Sequence, residues 1–231
     1  MGRIRVVSFD MEGTLIDIGF SDLIWETDIP ELYGQEHGIG LDEARKRVLK
    51  EYRQVGDERP EWYDAAYWFR RLGLRAELRD LLERRQGDCR VYQEAPGVLE
   101  RLRGKHKLVI SSNTMREFLA FQLPKLPAAF DHVFSATSDF GIVKKSEGFY
   151  GRVCGALGVQ PDAVAHVGDN RRFDYEAPKK LGIHAFHLDR SGLSRGGDVV
   201  GDLVEFEERV RALDGTRPNP GPKKCNSNSL F

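Results

Sequence analysis

Two carboxylates near the start of the chain have the type and spacing to do chemistry. Asp10 and Glu12 lie in Phe9-Asp10-Met11-Glu12-Gly13-Thr14-Leu15, directly after the apolar run Ile4–Phe9. Residues two apart on an extended chain project to the same side, and Gly13 permits a sharp turn behind them. Ligands of α/β proteins bind outside the carboxyl ends of strands. The pair therefore indicates either a reactive site or, more simply, a strand that ends in an acidic turn.

A second pair of carboxylates follows another apolar run. His166-Val167-Gly168-Asp169 ends the run Ala163–Val167, and Asp174 comes five residues after Asp169. Carboxylates gathered at a strand end suit a hard, oxygen-preferring cation such as Mg²⁺. The alternative is a tight turn followed by a helix cap.

Two weaker signals could serve a phosphate group. Ser112 and Asn113 follow the run Leu108–Ser111, where a hydroxyl and free backbone N–H groups at a helix start can hold a phosphate oxygen. Lys144, with Lys145 beside it, could offset charge in a phosphoryl transition state. A helix cap and a solvated lysine are the ordinary alternatives.

The elements that must position these residues alternate between strand and helix patterns. Five short β-rich runs are Ile4–Phe9, Leu108–Ser111, His132–Ser135, Ala163–Val167 and His184–Leu188. Helical patterns cover Val98–Arg103, Phe149–Leu157 and Asp202–Leu213. This alternation predicts an α/β fold, with a Rossmann-like parallel sheet and helices on both faces.

The stretch from Leu15 to Gln93 differs, because its apolar residues recur at helical spacing and it has no convincing strand. It holds all three tryptophans of the chain and predicts a small all-helical domain inserted between the first two strands. From Gly215 onward Pro, Gly and Ser dominate, which predicts a flexible tail.

Composition narrows the function classes. The 231 residues carry 35 basic and 36 acidic side chains, a balance that favours neither nucleic acid nor an anionic membrane as a partner. No apolar run is long enough to span a bilayer. The three cysteines are widely spaced, which favours a reducing cytoplasm over a disulfide framework. Charged residues reach 31%, and before residue 215 asparagine occurs only at 113 and 170, a combination typical of thermophilic proteins.

In combination, the motifs resemble those of the haloacid dehalogenase (HAD) superfamily. That pattern is Asp-x-Asp-Gly-Thr, then Ser/Thr-Asn, then Lys, then Gly-Asp-x-x-x-x-Asp, each at a strand end and in this order. Here Glu12 replaces the second aspartate, as in the family's enolase-phosphatases. Lys144-Lys145-Ser146-Glu147-Gly148-Phe149-Tyr150 lacks both prolines of the family's Lys-Pro-x-Pro-x-Phe-Tyr. The similarity covers the core from Arg3 to Leu213 without the insert.

The resemblance implies a Mg²⁺-dependent phosphatase that acts on a small phosphorylated metabolite. It implies that Asp10 is the nucleophile, Glu12 the general acid and base, and Ser112 and Lys144 the holders of phosphoryl oxygens. The substrate-binding residues would be Gly13, Thr14, Ser112, Asn113 and Lys144. The metal ligands would be Asp10, Glu12 through its backbone carbonyl, Asp169 and Asp174.

The resemblance also implies a division of the chain. Residues 1–16 and 94–214 would form the catalytic core, 17–93 a helical cap, and 215–231 the tail. Phe20, Trp25, Trp62 and Tyr63 are candidates for the cap face, although packing within the cap would equally explain them.

Two other functions stay open at this point. Haloacid dehalogenation occurs in the same family but lacks an acid at the position of Glu12. A non-catalytic binding protein on the same fold would be expected to lose its nucleophile or metal carboxylates, yet Asp10, Asp169 and Asp174 are present. The sequence names neither the substrate nor the oligomeric state.

Overall fold

A computed structural model describes residues 3–127 and 130–215. Its framework is a six-stranded sheet in which every neighbouring pair of strands is parallel and the order is β3-β2-β1-β4-β5-β6. The strands are β1 (Val6–Phe9), β2 (Lys107–Ser112), β3 (His132–Ser135), β4 (Val164–Gly168), β5 (His184–Leu188) and β6 (Val199–Val200). All five predicted strands are present. The sequence pattern missed β6, whose two residues are too short for any periodicity.

The register of the sheet brings the ends of three strands to one level. Phe9 pairs with Ile110 of β2 on one side and with Val167 of β4 on the other. Every residue of β1 is buried, as expected for a central parallel strand covered on both faces. The residues that follow β1, β2 and β4 therefore emerge side by side at the carboxyl edge.

The sheet is covered on both faces, which confirms the predicted fold class. The helices of this core are α6 (Ala95–Arg103), α7 (Arg116–Gln122), α8 (Ala136–Phe140), α9 (Glu147–Leu157), α10 (Ala177–Leu181) and α11 (Leu203–Leu213). Val7 and Phe9 of β1 belong to one apolar cluster with α6 and α11, whereas Val6 belongs to a second cluster with α9. Alternate residues of β1 thus face opposite layers.

The segment between β1 and β2 is helical, as predicted, and is called the helical insert below. Its helices are α1 (Gly19–Leu23), α2 (Ile29–His37), α3 (Leu41–Val55), α4 (Ala65–Leu72) and α5 (Leu78–Arg84). A π-helical turn joins α1 to α2, and a 3₁₀ turn (Pro60–Tyr63) precedes α4.

The two connections between insert and core lie against each other. The backbone N–H of Asp17 donates to the carbonyl of Arg90 at 2.9 Å, and that of Tyr92 donates to the carbonyl of Leu15 at 3.0 Å. Entry and exit therefore form one short two-stranded link.

Aromatic side chains join the insert to α7 of the core. Phe20 stacks on Phe121 with ring centroids 5.5 Å apart, and Trp25 stacks on Phe118 at 6.0 Å. Phe20 is fully buried in this contact. Of the residues proposed for the cap face, Phe20 is thus a packing residue.

The predicted flexible tail lies outside the described residues, apart from Gly215. Within the ranges that are described, the helices are too short or too polar for any of them to cross a membrane.

Candidate active site

Three aspartates meet at the carboxyl edge of the sheet. Asp10 follows β1, Asp169 follows β4, and Asp174 lies in the helical turn Arg171–Glu176 that comes next. Each offers an oxygen, and these oxygens lie within 4.8 Å of one another. The structure thus brings together the three aspartates that the sequence singled out, and we call them the carboxylate cluster.

Two glycines make room for this cluster. Gly13 has a φ of +77°, and a Cβ there would lie 2.5 Å from a carboxylate oxygen of Asp169. A Cβ on Gly168 would lie 2.3 Å from the carboxyl carbon of Asp174. Both contacts are far inside van der Waals distance, so the approach of the carboxylates requires glycine at both positions.

A buried lysine lies among the carboxylates, and it is Lys145. Its Nζ donates to Asp10 Oδ1 at 2.6 Å, to Asp174, and to the carbonyl of Ser111 at 3.2 Å. Its side chain is 2% exposed. The backbone N–H of Lys145 donates to Asn113 Oδ1 at 2.8 Å, which fixes the loop that carries it.

Lys144, the lysine expected from the sequence, points elsewhere. Its Nζ donates to Asp57 at 2.8 Å and to Glu58 at 2.7 Å, both in the helical insert. The chain bends at Lys144, and the two neighbouring side chains point in different directions, so that only Lys145 enters the cluster. The expectation for Lys144 is therefore corrected to Lys145 as the lysine that contacts Asp10.

Burial and neighbouring charges shift the pKa values of all three aspartates of this cluster. Burial raises the pKa of Asp10, and Lys145 opposes that shift. Burial, together with repulsion by Asp10 and Asp174, raises the pKa of Asp169 to about 7. Burial also acts upward on Asp174, but Lys145 and His166 outweigh it and lower that pKa to about 2.

One ammonium group thus faces three carboxylates, and Asp169 makes no ion pair with it. A cation that prefers oxygen ligands would supply the missing positive charge, so the donor set fits Mg²⁺.

A series of buried, hydrogen-bonded polar side chains supports Asp174. His166 Nε2 lies 3.1 Å from Asp174 Oδ1 and 3.0 Å from the hydroxyl of Tyr150. His166 Nδ1 lies 2.9 Å from Ser8 Oγ, which donates to Ser111 Oγ at 2.9 Å. No motif in the sequence predicted this support. The usable signal for it is a histidine inside a buried strand just before Gly-Asp, a position that requires a polar partner.

Glu12 turns away from the carboxylate cluster. Its carboxylate accepts hydrogen bonds from Ser21 of the insert and from Gln122 of α7, and it is not among the oxygens that converge with Asp10. Burial raises its pKa to about 7, although those two hydrogen bonds act in the opposite direction. A carboxyl group with such a pKa can both give and take a proton near neutral pH. No sequence pattern pointed to Ser21 or Gln122.

The other predicted site residues lie around the same edge. Ser112 is buried, and its Oγ accepts from the backbone N–H of Thr114 at 3.2 Å. Asn113 holds the Lys145 loop, as described above. Thr14 is buried beyond Gly13, its carbonyl accepts from Arg190 at 2.9 Å, and its hydroxyl has no hydrogen-bond partner among the described residues.

The fold and the site together define a hydrolase. The family model for haloacid dehalogenase-like hydrolases matches residues 4–182, and the chain belongs to that family. The crystal structure of a HAD phosphatase from Thermococcus onnurineus superposes with a TM-score of 0.77 at 27% identity, covering 90% of this chain and 98% of that one.

The chain is also similar to two further proteins of known type. It is 26% identical over 184 residues to the GMP/IMP nucleotidase YrfG of Escherichia coli, covering 78% of this chain and 80% of the relative. A 2-haloacid dehalogenase from Pseudomonas syringae pv. Tomato superposes with a TM-score of 0.65 at 19% identity, covering 90% of this chain and 98% of that one. At that identity the likeness extends to the fold alone.

Proposed function

We propose that this protein is a Mg²⁺-dependent phosphatase that hydrolyses a small phosphorylated metabolite through an aspartyl-phosphate intermediate. The observation that carries the proposal is a division between two acidic groups at the end of β1. Asp10 is paired with a buried lysine inside a carboxylate cluster, whereas Glu12 stands apart with a pKa of about 7. Asp10 is suited to nucleophilic attack on phosphorus, and Glu12 is suited to proton transfer.

In the first step, a carboxylate oxygen of Asp10 attacks phosphorus and the bond between phosphorus and the ester oxygen breaks. Glu12 donates its proton to the departing oxygen, and the product alcohol leaves. In the second step, Glu12 takes a proton from a water molecule whose oxygen attacks phosphorus. The bond between phosphorus and Asp10 then breaks, which releases inorganic phosphate and restores the carboxylate.

The approach of a carboxylate to a phosphate dianion requires positive charge. Lys145 provides one such charge through its position between Asp10 and Asp174. Asp10, Asp169 and the backbone carbonyl of Glu12 would hold Mg²⁺, with Asp174 supporting directly or through water. When bound, the ion neutralises negative charge on the phosphoryl oxygens.

The helical insert would act as a cap. We propose residues 17–93 as the cap and residues 1–16 and 94–214 as the core, with the paired connections at Asp17 and Tyr92 as the hinge. The contact of Ser21 with Glu12 supports this role, because a cap residue then touches the acid itself. A closed cap would exclude water from the phosphoenzyme.

A panel of phosphate monoesters and 2-haloacids tests the proposal. We expect release of phosphate with magnesium, none with excess EDTA, and no release of halide. The similarity to a nucleotidase supports the choice of phosphate esters, and the acid at Glu12 disfavours dehalogenation. Halide release, or inactivity across a broad ester panel with magnesium, would contradict it.

A further inference from the structure

A cavity of about 510 Å³ lies between the helical insert and the core. Glu12, Asn113 and Thr114 line its inner end, next to the carboxylate cluster. The volume falls within the range of pockets that enclose small organic ligands. A phosphate ester whose phosphoryl group met Asp10 would therefore extend its alcohol past Glu12 into this space, which we call the aromatic cavity.

The outer walls of the cavity are aromatic. All three tryptophans of the chain line it, together with Tyr52 and Tyr63. Trp25, Trp62 and Tyr63 are only partly buried, so parts of these rings remain available to a ligand. The walls are also held in place, since Trp62 packs edge-on against Trp68 with ring centroids 6.3 Å apart. Such fixed rings provide stacking surfaces for a flat group with little loss of side-chain entropy.

The charges around the cavity disfavour a second anionic group. The carboxylates of Asp22 and Glu26 line it, against one guanidinium from Arg53, and Glu12 adds no positive charge in either protonation state. A leaving group with its own phosphate or carboxylate would therefore meet an excess of negative charge. The exposed carboxylates of Asp22 and Glu26 can instead accept hydrogen bonds from N–H groups on a heterocycle.

We propose that the aromatic cavity selects phosphate monoesters whose alcohol carries an uncharged planar ring, as a nucleoside 5′-monophosphate does. This inference rests on the phosphatase function proposed above and names its substrate class. The alcohol's sugar would lie beside Glu12, and its ring would lie among Trp25, Trp62 and Tyr63. Esters of small aliphatic alcohols would leave these rings without a partner.

Two substrates with the same reacting bond test this selection. Inosine 5′-monophosphate and ribose 5-phosphate both release a primary 5′ oxygen, so they differ by the base and not by leaving-group chemistry. A stacked base is expected to raise kcat/KM roughly 5- to 150-fold. Inosine 5′-diphosphate should be hydrolysed less efficiently than the monophosphate because of the acidic lining.

Two tyrosines of the insert supply a matched pair of variants. Tyr63 lines the cavity, whereas Tyr67, four residues further on in α4, is also partly buried but does not line it. Tyr63→Leu should lower the ratio of kcat/KM for inosine 5′-monophosphate to kcat/KM for ribose 5-phosphate several-fold. Tyr67→Leu should leave the preference unchanged. Trp62→Leu provides a second cavity variant if Tyr63→Leu folds poorly.

Ligand binding can also be followed without catalysis. Because every tryptophan lines the cavity, the intrinsic fluorescence of the protein reports on it. We expect inosine, which has no phosphate, to change this fluorescence saturably, and ribose to leave it unchanged. The same titration of Tyr63→Leu should show weaker binding.

The outcomes separate the two proposals. Hydrolysis of both esters with equal efficiency would overturn the cavity assignment while leaving the phosphatase function standing. A clear preference for phosphocholine would also overturn it, because the rings would then serve as a cage for a cation. If no ester released phosphate, the phosphatase function would fail, and the inosine titration would still decide whether the cavity binds a planar ring.

Discussion

The two ends of the proposed substrate site are built by opposite means. At the inner end, the carboxylate cluster is held by strand ends, by glycines that permit close approach and by a buried lysine. At the outer end, the helical insert presents the partly exposed rings of Trp25 and Trp62, which pack on the buried rings of Tyr52 and Trp68. The inner end has few alternatives because each group is fixed by the sheet. Under the proposed function, side chains of the outer end could change without moving the carboxylate cluster, so reaction type and substrate choice would be physically separable.

The largest difference between the two ends is expected from Asp10→Asn, which should affect the reaction at the inner end and not ring binding at the outer end. The amide is nearly isosteric but a poor nucleophile, and it removes one charge from the cluster. Turnover should be abolished while the fold and the fluorescence response to inosine persist. Phosphate release and tryptophan fluorescence measured on one preparation check both statements. Activity within roughly tenfold of the unmodified protein would remove Asp10 from the role of nucleophile.

Removal of the metal should also stop the reaction at the inner end without affecting binding at the outer end. EDTA is expected to stop phosphate release and added Mg²⁺ to restore it, because the cluster holds more carboxylates than Lys145 can neutralise. Calcium should substitute poorly, since its looser and higher coordination would misplace the nucleophile. Inosine should still bind in EDTA. Full turnover after exhaustive chelation would contradict the metal assignment.

Glu12→Gln tests the residue that lies between the two ends. The glutamine keeps the size of the side chain but cannot transfer a proton, and such transfer is typically worth about 10²–10⁴-fold. Hydrolysis of alkyl phosphates should slow by that order. Release of p-nitrophenolate in the first step should suffer less, because this leaving group needs little protonation. Nearly unchanged turnover on both substrates would show that Glu12 only shapes the turn.

The adjacent lysines should give very different losses. Lys145→Met removes a charge aimed at Asp10 and should lower kcat by about 10²–10³-fold. Besides a cation–π contact with Phe173, Lys144→Met removes a link to Asp57 and Glu58, whose side chains are 59% and 74% exposed. Such a link is worth at most about 1 kcal/mol, so kcat/KM should fall no more than roughly fivefold.

Thermal melting of both lysine variants provides the control for folding, and the small loss in Lys144→Met should vanish at high salt. Equal losses in the two variants would contradict the assignment of Lys145.

The sequence predicted the fold and most of the inner end because both depend on short-range patterns. Buried parallel strands read as apolar runs, and the aspartates follow them directly. The choice between Lys144 and Lys145 could not be predicted, since it depends on the direction of a loop. The contact of Gln122 with Glu12 could not be predicted either, because the two residues lie 110 positions apart in the sequence.

At the outer end, the sequence could not show which aromatic residues line the cavity, and the reason is different. Apolar residues at helical spacing indicate a buried face but not what covers it. Phe20 and Trp25 come from the same part of the insert, yet Phe20 is fully buried and Trp25 lines the cavity. Both rings stack on α7, so helical spacing could not tell which of the two stays partly exposed.

Trapping the covalent intermediate tests the central claim most directly. Glu12→Gln should complete the first step on p-nitrophenyl phosphate and then stall, because the base for the second step is missing. Rapid acid quench and peptide mass spectrometry should find one phosphoryl group on the peptide that bears Asp10, and borohydride should convert that residue to homoserine. The adduct should be absent when Asp10→Asn is added. A burst of p-nitrophenolate with no phosphoryl group on that peptide, or with the group on another residue, would contradict the account.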